Sequence, residues 1–455
     1  MRACRRETPT PSRKGRGSFL CRLVRCVNAD GTCAILALLA AVIPAHAEVP
    51  AHGGPIRGIA MSADGTRALT AGFDYSVIEW EVASGRPIQR LIGHDAAVNA
   101  VVYLPDSRAA SASDDGTVAV WSLGNGARIH SLQGHAAKVT TIAASPDGAS
   151  IASGGWDGTV RLWNVETGVE QRTLRPQANV NAVAFSPDGR TVVSAGADGK
   201  LTVWSTVAGG EPLREFGGGF PVVALSFATD GRSLLAASAD MTVRQWDPET
   251  GHENARPQRH DAPILALAVS ADGGTAAASD LHGGIRLWRP ADAAPLRLLA
   301  GDGDPVWAVG LTSNGERLVA GGADGALRVW DVRTGQLLGA PVEVASAGDA
   351  ISDGSQGARL FRKCAICHST SADGGGRAGP TLYGIFGRRA GSVADYPYSP
   401  ALQHSGLVWT EATLDDLFEQ GPEQMTPGSK MPLQRIPNAR ERAELISYLR
   451  RITAP

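Results

Sequence analysis

Cysteine is scarce in this sequence, and its scarcity argues against several kinds of site. The 455 residues include six cysteines: Cys4, Cys21, Cys26, Cys33, Cys364 and Cys367. We expect the first four to be removed with an export signal, which leaves two cysteines three positions apart. A structural disulfide is then not expected, even in an oxidising compartment. A zinc site is disfavoured as well, because zinc needs two further ligands at suitable spacing and the mature chain has no other cysteine.

Net charge and long apolar runs are also limited. The formal net charge is −2 at pH 7, which gives no reason to expect a nucleic-acid partner. The amino-terminal apolar run from Ala34 to Ile43 is too short to cross a bilayer as a helix. We therefore expect no membrane span once the amino-terminal segment is removed.

Residues 1–47 have the features of an export signal. Eight basic and two acidic side chains give this segment a charge of +6. The apolar run follows, and Ala45-His46-Ala47 then places small residues where a signal peptidase inspects the chain. The pattern predicts cleavage before Glu48 and a periplasmic protein. An uncleaved membrane anchor and a start downstream of Met1 remain alternatives, whereas a lipid anchor on Cys33 is disfavoured because no apolar stretch leads up to it.

Tryptophan recurs along the chain with a regular period. Intervals of 41 or 42 residues separate Trp80, Trp121, Trp163, Trp204, Trp246, Trp288 and Trp330. Each ends an alternating run, such as Val118-Ala119-Val120-Trp121, and such alternation is typical of a β-strand. A period near forty is typical of the blades of a propeller.

An aspartate stands six residues before six of these tryptophans. The series is Asp74, Asp115, Asp157, Asp198, Asp240 and Asp324. Glycine often follows, as a tight hairpin requires. We interpret these aspartates, together with His94 and His135, as structural. His282 takes the aspartate position in the sixth repeat, which indicates a degenerate blade or, alternatively, a local functional site.

The repeats resemble the WD-repeat family of β-propellers. Gly93-His94 and Gly134-His135 match its Gly-His element, and Trp246-Asp247 and Trp330-Asp331 match its Trp-Asp element. The resemblance covers roughly residues 52–344 and implies seven four-stranded blades around a central channel. We therefore expect residues 48–344 to form an all-β propeller, although the Glu81 and Ser122 that follow the first two tryptophans depart from the family pattern.

The repeat pattern stops after Val342. Residues 345–355 are small and polar and predict a flexible linker. Residues 356–455 then change to helical spacing and predict a small all-α domain. Three helices are indicated by Leu360, Phe361 and Cys364, by Leu414, Leu417 and Phe418, and by Leu445, Ile446, Tyr448 and Leu449.

Cys364-Ala365-Ile366-Cys367-His368 is a Cys-x-x-Cys-His sequence, which is typical of c-type haem attachment. Two thiols three apart on one helical turn can reach both vinyl groups of a porphyrin, and the histidine that follows can then point at the iron. A thioredoxin-like redox motif is the alternative, but it needs a βαβ context that this sequence lacks.

From Gly357 to about Arg451 the chain resembles class I cytochrome c. Gly357 and Phe361 match the amino-terminal helix of that family, and Leu445 to Leu449 match its carboxyl-terminal helix. The resemblance implies one haem c per chain, attached through two thioether bonds to Cys364 and Cys367. His368 would be the first iron ligand.

The same resemblance implies roles for five further residues around the haem. Pro380 would accept a hydrogen bond from His368 through its carbonyl, and Arg388, Tyr398 and Trp409 would contact the propionates. Met431, in the segment Pro427 to Met431, would be the second iron ligand. Met425 is a competing ligand, and ordinary core packing is the other role open to Met431. Mitochondrial cytochrome c has polar residues facing the haem pocket at the positions of Leu402 and Leu417. The two leucines therefore predict fewer hydrogen bonds on the distal side of the haem, where Met431 would bind.

Charge differs between the two predicted domains. Residues 355–455 carry twelve lysines and arginines against nine acidic residues, a net of +3, which leaves −11 for residues 48–354. Arg359, Lys363, Arg377 and Lys430 would form a basic rim around the haem edge that steers acidic redox partners. Ordinary solvated charge is one alternative, and docking of this face on the acidic propeller of the same chain is another.

Three functions fit these features. The first is a periplasmic electron-transfer protein, not an enzyme and with no catalytic residue, whose propeller is a docking platform for redox partner proteins. The second is a propeller oxidoreductase that passes electrons to the tethered cytochrome. The third is a haem-based redox or gas sensor. We favour the first because the repeats show no nucleophile motif, metal set or second haem motif.

Overall fold

The structure is a computed structural model that describes residues 51–207, 209–254, 257–299, 303–338, 355–365, 368–372, 379–394, 396, 398–426 and 435–454. The predicted export signal and residues 345–354 of the predicted linker lie outside the described residues. Cys367 and Met431 lie outside them too. The boundaries predicted for the signal and the linker therefore stay predictions.

The described residues from 51 to 338 form seven antiparallel four-stranded sheets, each built from four strands consecutive in the chain. The first three sheets contain β1 (Ile56–Met61), β2 (Arg67–Gly72), β3 (Ser76–Glu81) and β4 (Arg86–Ile92); β5 (Val98–Leu104), β6 (Arg108–Ser113), β7 (Thr117–Ser122) and β8 (Arg128–Gln133); and β9 (Val139–Ala144), β10 (Ser150–Gly155), β11 (Val160–Asn164) and β12 (Glu170–Leu174). The fourth and fifth contain β13 (Val180–Phe185), β14 (Thr191–Gly196), β15 (Lys200–Ser205) and β16 (Pro212–Gly217); and β17 (Val222–Phe227), β18 (Leu234–Ser238), β19 (Thr242–Trp246) and β20 (Gln258–Arg259). The last two contain β21 (Ile264–Val269), β22 (Ala276–Asp280), β23 (Ile285–Arg289) and β24 (Ala294–Leu299); and β25 (Val306–Leu311), β26 (Arg317–Gly322), β27 (Leu327–Asp331) and β28 (Leu337–Leu338).

The first strand of each sheet is the inner strand of a blade. Each inner strand contacts the inner strands of the two neighbouring sheets, and β1 contacts both β5 and β25, so the seven sheets close into a ring. The predicted seven-bladed propeller is confirmed. Because strand direction alternates within a blade, the inner strands begin on the same face as the turns between second and third strands. We call this the entry face.

Hydrogen-bonded histidine networks link the strands of the first three blades. In the second blade His94 Nδ1 lies 2.9 Å from Asp115 Oδ2, and His94 Nε2 lies 2.8 Å from Ser111 Oγ. The Trp121 indole donates to the same Oγ at 2.8 Å. Burial alone would raise the pKa of Asp115, but hydrogen bonds from His94, Thr117 and a backbone amide hold it well below its usual range.

These networks place serine, histidine and aspartate in the order of a hydrolase triad, yet they are structural. Ser111 is 0% exposed, and its oxygen accepts the indole proton, so no substrate can reach it. His135, Asp157 and Ser153 repeat the arrangement in the third blade.

The first and sixth blades contain histidines that the sequence analysis did not identify. His52 stands at the start of the predicted repeats but follows Ala51 and not the glycine of a Gly-His element, and it bonds Asp74 at 2.8 Å and Thr70 at 2.7 Å. In the sixth blade the role of the turn aspartate is taken by Asp280, two residues before His282. Its carboxylate accepts hydrogen bonds from the backbone amides of His282 and Gly284.

That sixth-blade network is incomplete. Asp280 faces His260 Nδ1 at 3.5 Å, and His260 Nε2 is buried without a hydrogen-bond partner among the described residues. The residue ten positions before Trp288 is Ala278, where the first four blades have serine or threonine. The degenerate-blade interpretation agrees with this arrangement.

The described residues from 355 onward contain five helices: α1 (Gln356–Ala365), α2 (Pro400–Gln403), α3 (Glu411–Gln420), α4 (Pro422–Met425) and α5 (Ala439–Ile452). The three predicted helices correspond to α1, α3 and α5. Thr410 caps α3 through a capping box with Thr413, and Asn438 caps α5. Their apolar faces share one core that includes Phe361, Leu414, Phe418, Leu445 and Leu449. Within the described part of the chain, no helix is long and apolar enough to cross a membrane.

Candidate haem site

Helices α1 and α5 cross closely and support the segment that carries the haem-attachment motif. A Cβ atom on Gly357 would lie 2.5 Å from the carbonyl oxygen of Glu444 and 2.5 Å from the Cβ of Tyr448. Such contacts are too short for any real side chain, so only glycine lets the two helices approach this closely. Phe361 packs on Tyr448 one turn further along, with ring centroids 5.7 Å apart.

The end of α1 positions the first thiol and the predicted iron ligand. Cys364 is half-buried and packs against the helical core. The backbone amide of His368 donates to the carbonyl of Cys364 at 2.9 Å. This hydrogen bond holds Cys364 and His368 close together in space, as haem attachment requires. Cys367 falls between them in the chain but lies outside the described residues.

The ring of His368 is held in one tautomer. Its Nδ1 lies 2.8 Å from the carbonyl oxygen of Pro380. A carbonyl only accepts, so Nδ1 carries the proton and Nε2 presents a lone pair. Burial, the largest influence, lowers the pKa of His368, and the charge of Arg388 lowers it further. A neutral imidazole with a fixed donor nitrogen fits an iron ligand.

Arg388 and Trp409 are brought together by backbone pairing. The amide of Gly387 donates to the Trp409 carbonyl at 2.8 Å, and the amide of Trp409 donates to the Arg388 carbonyl at 2.9 Å. The Arg388 guanidinium donates to the carbonyls of Tyr383 and Thr381. These bonds use two of its five donors and fix the group beside the segment that follows Pro380.

Tyr398 completes the polar group around Arg388. Burial raises the pKa of the Tyr398 hydroxyl, while the positive charge of Arg388 acts in the opposite direction. Its ring packs edge-on against Tyr396, with centroids 4.6 Å apart. Four of the predicted residues, Pro380, Arg388, Tyr398 and Trp409, are thus connected to one another or to His368. Their proposed contacts with a haem remain predictions.

Arg442 is a site-supporting residue that the sequence analysis missed. Its side chain is 5% exposed and pairs with Asp415 at 2.8 Å and Glu419 at 3.3 Å. It also donates to the carbonyls of Ile436 and Pro437. It therefore fixes the segment that follows the predicted Met431 loop. Its position in the buried stripe of α5, three residues before Leu445 and seven before Leu449, was the signal that could have revealed it.

Met425, the competing ligand, and Leu417, the leucine predicted to face the haem pocket, both lie among apolar side chains. Met425 is half-buried and packs against the helical core, and Leu417 is buried in that core. Met431 lies outside the described residues, so its ligand role stays a prediction. No cluster of three or more histidine, cysteine or acidic side chains that could hold a metal ion occurs in the described ranges.

Comparison with protein families divides the chain in the same way. A family described as IFT122 first beta-propeller matches residues 107–353, and the WD domain, G-beta repeat family matches residues 85–122. The cytochrome c family matches residues 355–453.

Curated relatives match the carboxyl-terminal part. Cytochrome c of Gibberella zeae is 40% identical over 99 residues, which is 22% of this chain and 92% of that protein. Cytochrome c of Nigella damascena is 38% identical over 116 residues, 25% of this chain and 100% of that protein. Cytochrome c2 of Rhodomicrobium vannielii is 34% identical over 113 residues, 25% of this chain and 90% of that protein.

These matches carry a functional meaning for the helical domain. A cytochrome c domain implies a covalently attached haem c and haem-based electron transfer. The chain therefore belongs to the β-propeller family described as IFT122 first beta-propeller and, through its last hundred residues, to the cytochrome c family.

Proposed function

We propose that this protein is a periplasmic one-electron carrier with a single haem c attached by thioether bonds to Cys364 and Cys367. His368 and Met431 are its two iron ligands, and the propeller is a platform for redox partner proteins. The observation that carries the proposal is the hydrogen bond from His368 Nδ1 to the Pro380 carbonyl at 2.8 Å. It orients the ring, fixes the tautomer and increases the donor strength of Nε2.

Each residue of the site has a defined task in this proposal. Haem c supplies a one-electron Fe(II)/Fe(III) couple. A thioether ligand from Met431 favours the reduced state and raises the reduction potential. Arg388, Tyr398 and Trp409 hold the propionates, and the helical core excludes water from the remaining face. Arg442 anchors the chain just after the predicted Met431 loop, through its bonds to Ile436 and Pro437.

Electron transfer also requires partners and a compartment. We propose that the basic rim formed by Arg359, Lys363, Arg377 and Lys430 steers acidic redox partners toward the haem edge. Residues 1–47 would direct export to the periplasm and would then be removed by cleavage. Amino-terminal sequencing of the exported protein tests this step, and a mature chain that keeps its leader would contradict it.

The ligation is tested by the visible spectrum of the reduced protein, expressed in a host that matures c-type cytochromes, with and without carbon monoxide. The wild-type spectrum should not change on adding the gas, because both axial positions are held by protein. Met431→Ala should bind the gas, whereas the matched control Met425→Ala should behave as wild type.

Other outcomes favour the competing functions. A shift in the wild-type spectrum would mean an open or weakly held axial position and would favour a sensor or an oxidoreductase. Gas binding by Met425→Ala alone would move the ligand to that residue.

A further inference from the structure

A β-bulge occurs at the second residue of every inner strand, on the entry face. The register skips one residue in each blade, namely Arg57, Asn99, Thr140, Asn181, Val223, Leu265 and Trp307. A bulge takes its residue out of the regular alternation of the strand. These residues hold equivalent positions around the ring, and we call them the bulge ring.

One half of the bulge ring is polar and occupied with contacts inside the propeller. Asn99 donates to the carbonyl of Val139 at 2.9 Å, which joins the second blade to the third. In the same way, Thr140 donates to the carbonyl of Val180 at 2.7 Å, and Asn181 donates to the carbonyl of Val222 at 3.0 Å. These side chains tie neighbouring blades together.

The other half of the bulge ring is apolar. Val223, Leu265 and Trp307 are half-buried. In the sixth blade the bond to the next blade comes from Ser279 instead, which donates to the Val306 carbonyl at 2.9 Å. Leu265 is thus not needed for that link.

Further apolar side chains on the entry face surround this half. Phe220, just before β17, is 59% exposed; Met241 and Leu281, in turns between second and third strands, are 39% and 38% exposed. We call these three residues, together with Val223, Leu265 and Trp307, the apolar mouth. Exposed apolar side chains that share one face of neighbouring blades favour an interaction surface there.

The course of the chain brings one candidate to this surface. β28 is antiparallel to β27 and runs toward the entry face, so the chain leaves the last blade in the direction of the apolar mouth. Sixteen residues, 339–354, then separate Leu338 from Ser355. If these residues act as the flexible linker that their composition predicts, their root-mean-square span is about 22 Å. The helical domain would then stay within reach of the entry face at an effective concentration on the order of millimolar.

Charge favours the same contact. The helical domain carries +3 and the rest of the mature chain −11. The exposed carboxylate of Asp304 lies in the loop that leads into β25, beside the apolar mouth. Asp261, in the loop that leads into β21, is also exposed but pairs with Arg286. Opposite charges speed the encounter, while apolar contact stabilises the docked state.

We propose that the cytochrome c domain docks on the apolar mouth of its own propeller. The inference goes beyond the proposed function and does not depend on which residues ligate the iron. It makes the docked domain the resting arrangement of the chain, so a redox partner competes with the propeller for the face of the haem domain that docking covers.

Small-angle X-ray scattering of the mature holoprotein at low ionic strength tests the docking. A docked chain should have a radius of gyration near the value of a single compact body of this length, about 22 Å. Phe220→Lys and Leu281→Lys add positive charge to the apolar mouth and should increase the radius, because the basic domain is released. Both residues are exposed, so the substitutions should leave the fold intact.

The controls place the same change on outer strands with matched exposure. Leu213→Lys replaces a side chain that is 60% exposed on β16, and Ile129→Lys one that is 43% exposed on β8. Both should keep the wild-type radius. Equal radii for all four variants, or an extended wild-type chain, would overturn the proposal. A concentration-dependent doubling of mass would assign the mouth to a second copy of the chain and overturn it too.

The carbon monoxide spectrum of the same samples separates this inference from the proposed function. A spectral shift with a compact wild-type chain would refute the His368 and Met431 ligation and leave docking in place. An unchanged spectrum with an extended chain would refute docking alone.

Discussion

The first three blades and the last three share one sheet architecture but differ in their polar chemistry. In the first three, a histidine joins the turn aspartate to a serine or threonine that also accepts the tryptophan indole. In the fifth and seventh blades the aspartate pairs instead with an arginine of the third strand, Asp240 with Arg244 and Asp324 with Arg328. Alanine takes the hydroxyl position at residues 236, 278 and 320.

This difference separates what makes a blade from what stiffens it. All seven sheets keep the alternating apolar strands and the tight turns, and all seven form. The buried network is thus not needed for the topology. It adds satisfied hydrogen bonds inside a low-dielectric core, where each bond is costly to break. The late blades lack it, and they are also the blades that present the apolar mouth.

The largest effect should come from removing the aspartate of an early network. Asp115→Ala leaves buried His94 without its partner and should lower the free energy of unfolding by about 2–4 kcal/mol. Asp324→Ala removes a partly exposed ion pair and should cost less than about 1 kcal/mol. Urea unfolding followed by tryptophan fluorescence measures both, since nine of the ten tryptophans lie in the propeller. Equal losses would remove the distinction between early and late blades.

An exchange within the bulge ring should have the next largest effect. Asn99→Val imposes the late-blade residue type and removes two bonds, to Asp114 at 2.8 Å and to the Val139 carbonyl at 2.9 Å. We expect a loss of about 1–2 kcal/mol in the same assay. The reverse exchange, Val223→Asn, should produce a smaller change of opposite sign. A stabilised Asn99→Val variant would show that these bonds do not tie the blades together.

Restoring a missing hydroxyl should stabilise the sixth blade. Ala278→Ser offers a partner to the orphaned Nε2 of His260 and should raise the free energy of unfolding by about 1 kcal/mol. Ala236→Ser makes the same change in the fifth blade, which has no histidine at the corresponding place, and should have a smaller effect. If the two serines act alike, the histidine is not the group that benefits.

The smallest effect should appear in the pH dependence. Burial, the largest influence in each case, lowers the pKa of His135 and of His260. Below about pH 6.5 the unfolded chain then binds more protons than the folded one, so stability falls as the pH decreases. His260→Leu should reduce the loss of unfolding free energy between pH 7.5 and pH 5.5. An unchanged or steeper loss would mean that His260 is not a source of this dependence.

Sequence patterns were sufficient to predict the structure wherever one residue type holds a fixed position in a repeat or a helix. The tryptophan period predicted seven blades because each indole holds the same place in its sheet, where six are buried and Trp246 is half-buried. The Cys-x-x-Cys-His motif and the resemblance of its flanking residues together pointed to Cys364 and His368, whose roles in haem attachment and iron ligation stay predictions. Gly357 followed from its family resemblance, and the close approach of Glu444 and Tyr448 gives the physical reason.

Other features depend on contacts between segments distant in the chain. Counting back from Trp288 led to His282, because the count assumes that the aspartate holds the same position in every blade, whereas Asp280 lies two residues earlier, at the end of β22. His52 lies at the start of the repeats, but the Gly-His element does not mark it, because Ala51 precedes it. The role of Arg442 depends on the packing of α3 against α5, and the bulge ring depends on the register between neighbouring strands. Apart from the helical spacing that places Arg442 in the buried stripe of α5, no local pattern encodes these features.

The composition of each sheet from four consecutive strands has a consequence for the ancestry of the chain. A duplication of one repeat of about 42 residues would add an entire blade in register, because no strand is shared between sheets. The ring could therefore have grown by copying whole blades, and each copy could then diverge separately. On this view the histidine networks of the early blades and the apolar residues of the late blades record different selective histories within one ring.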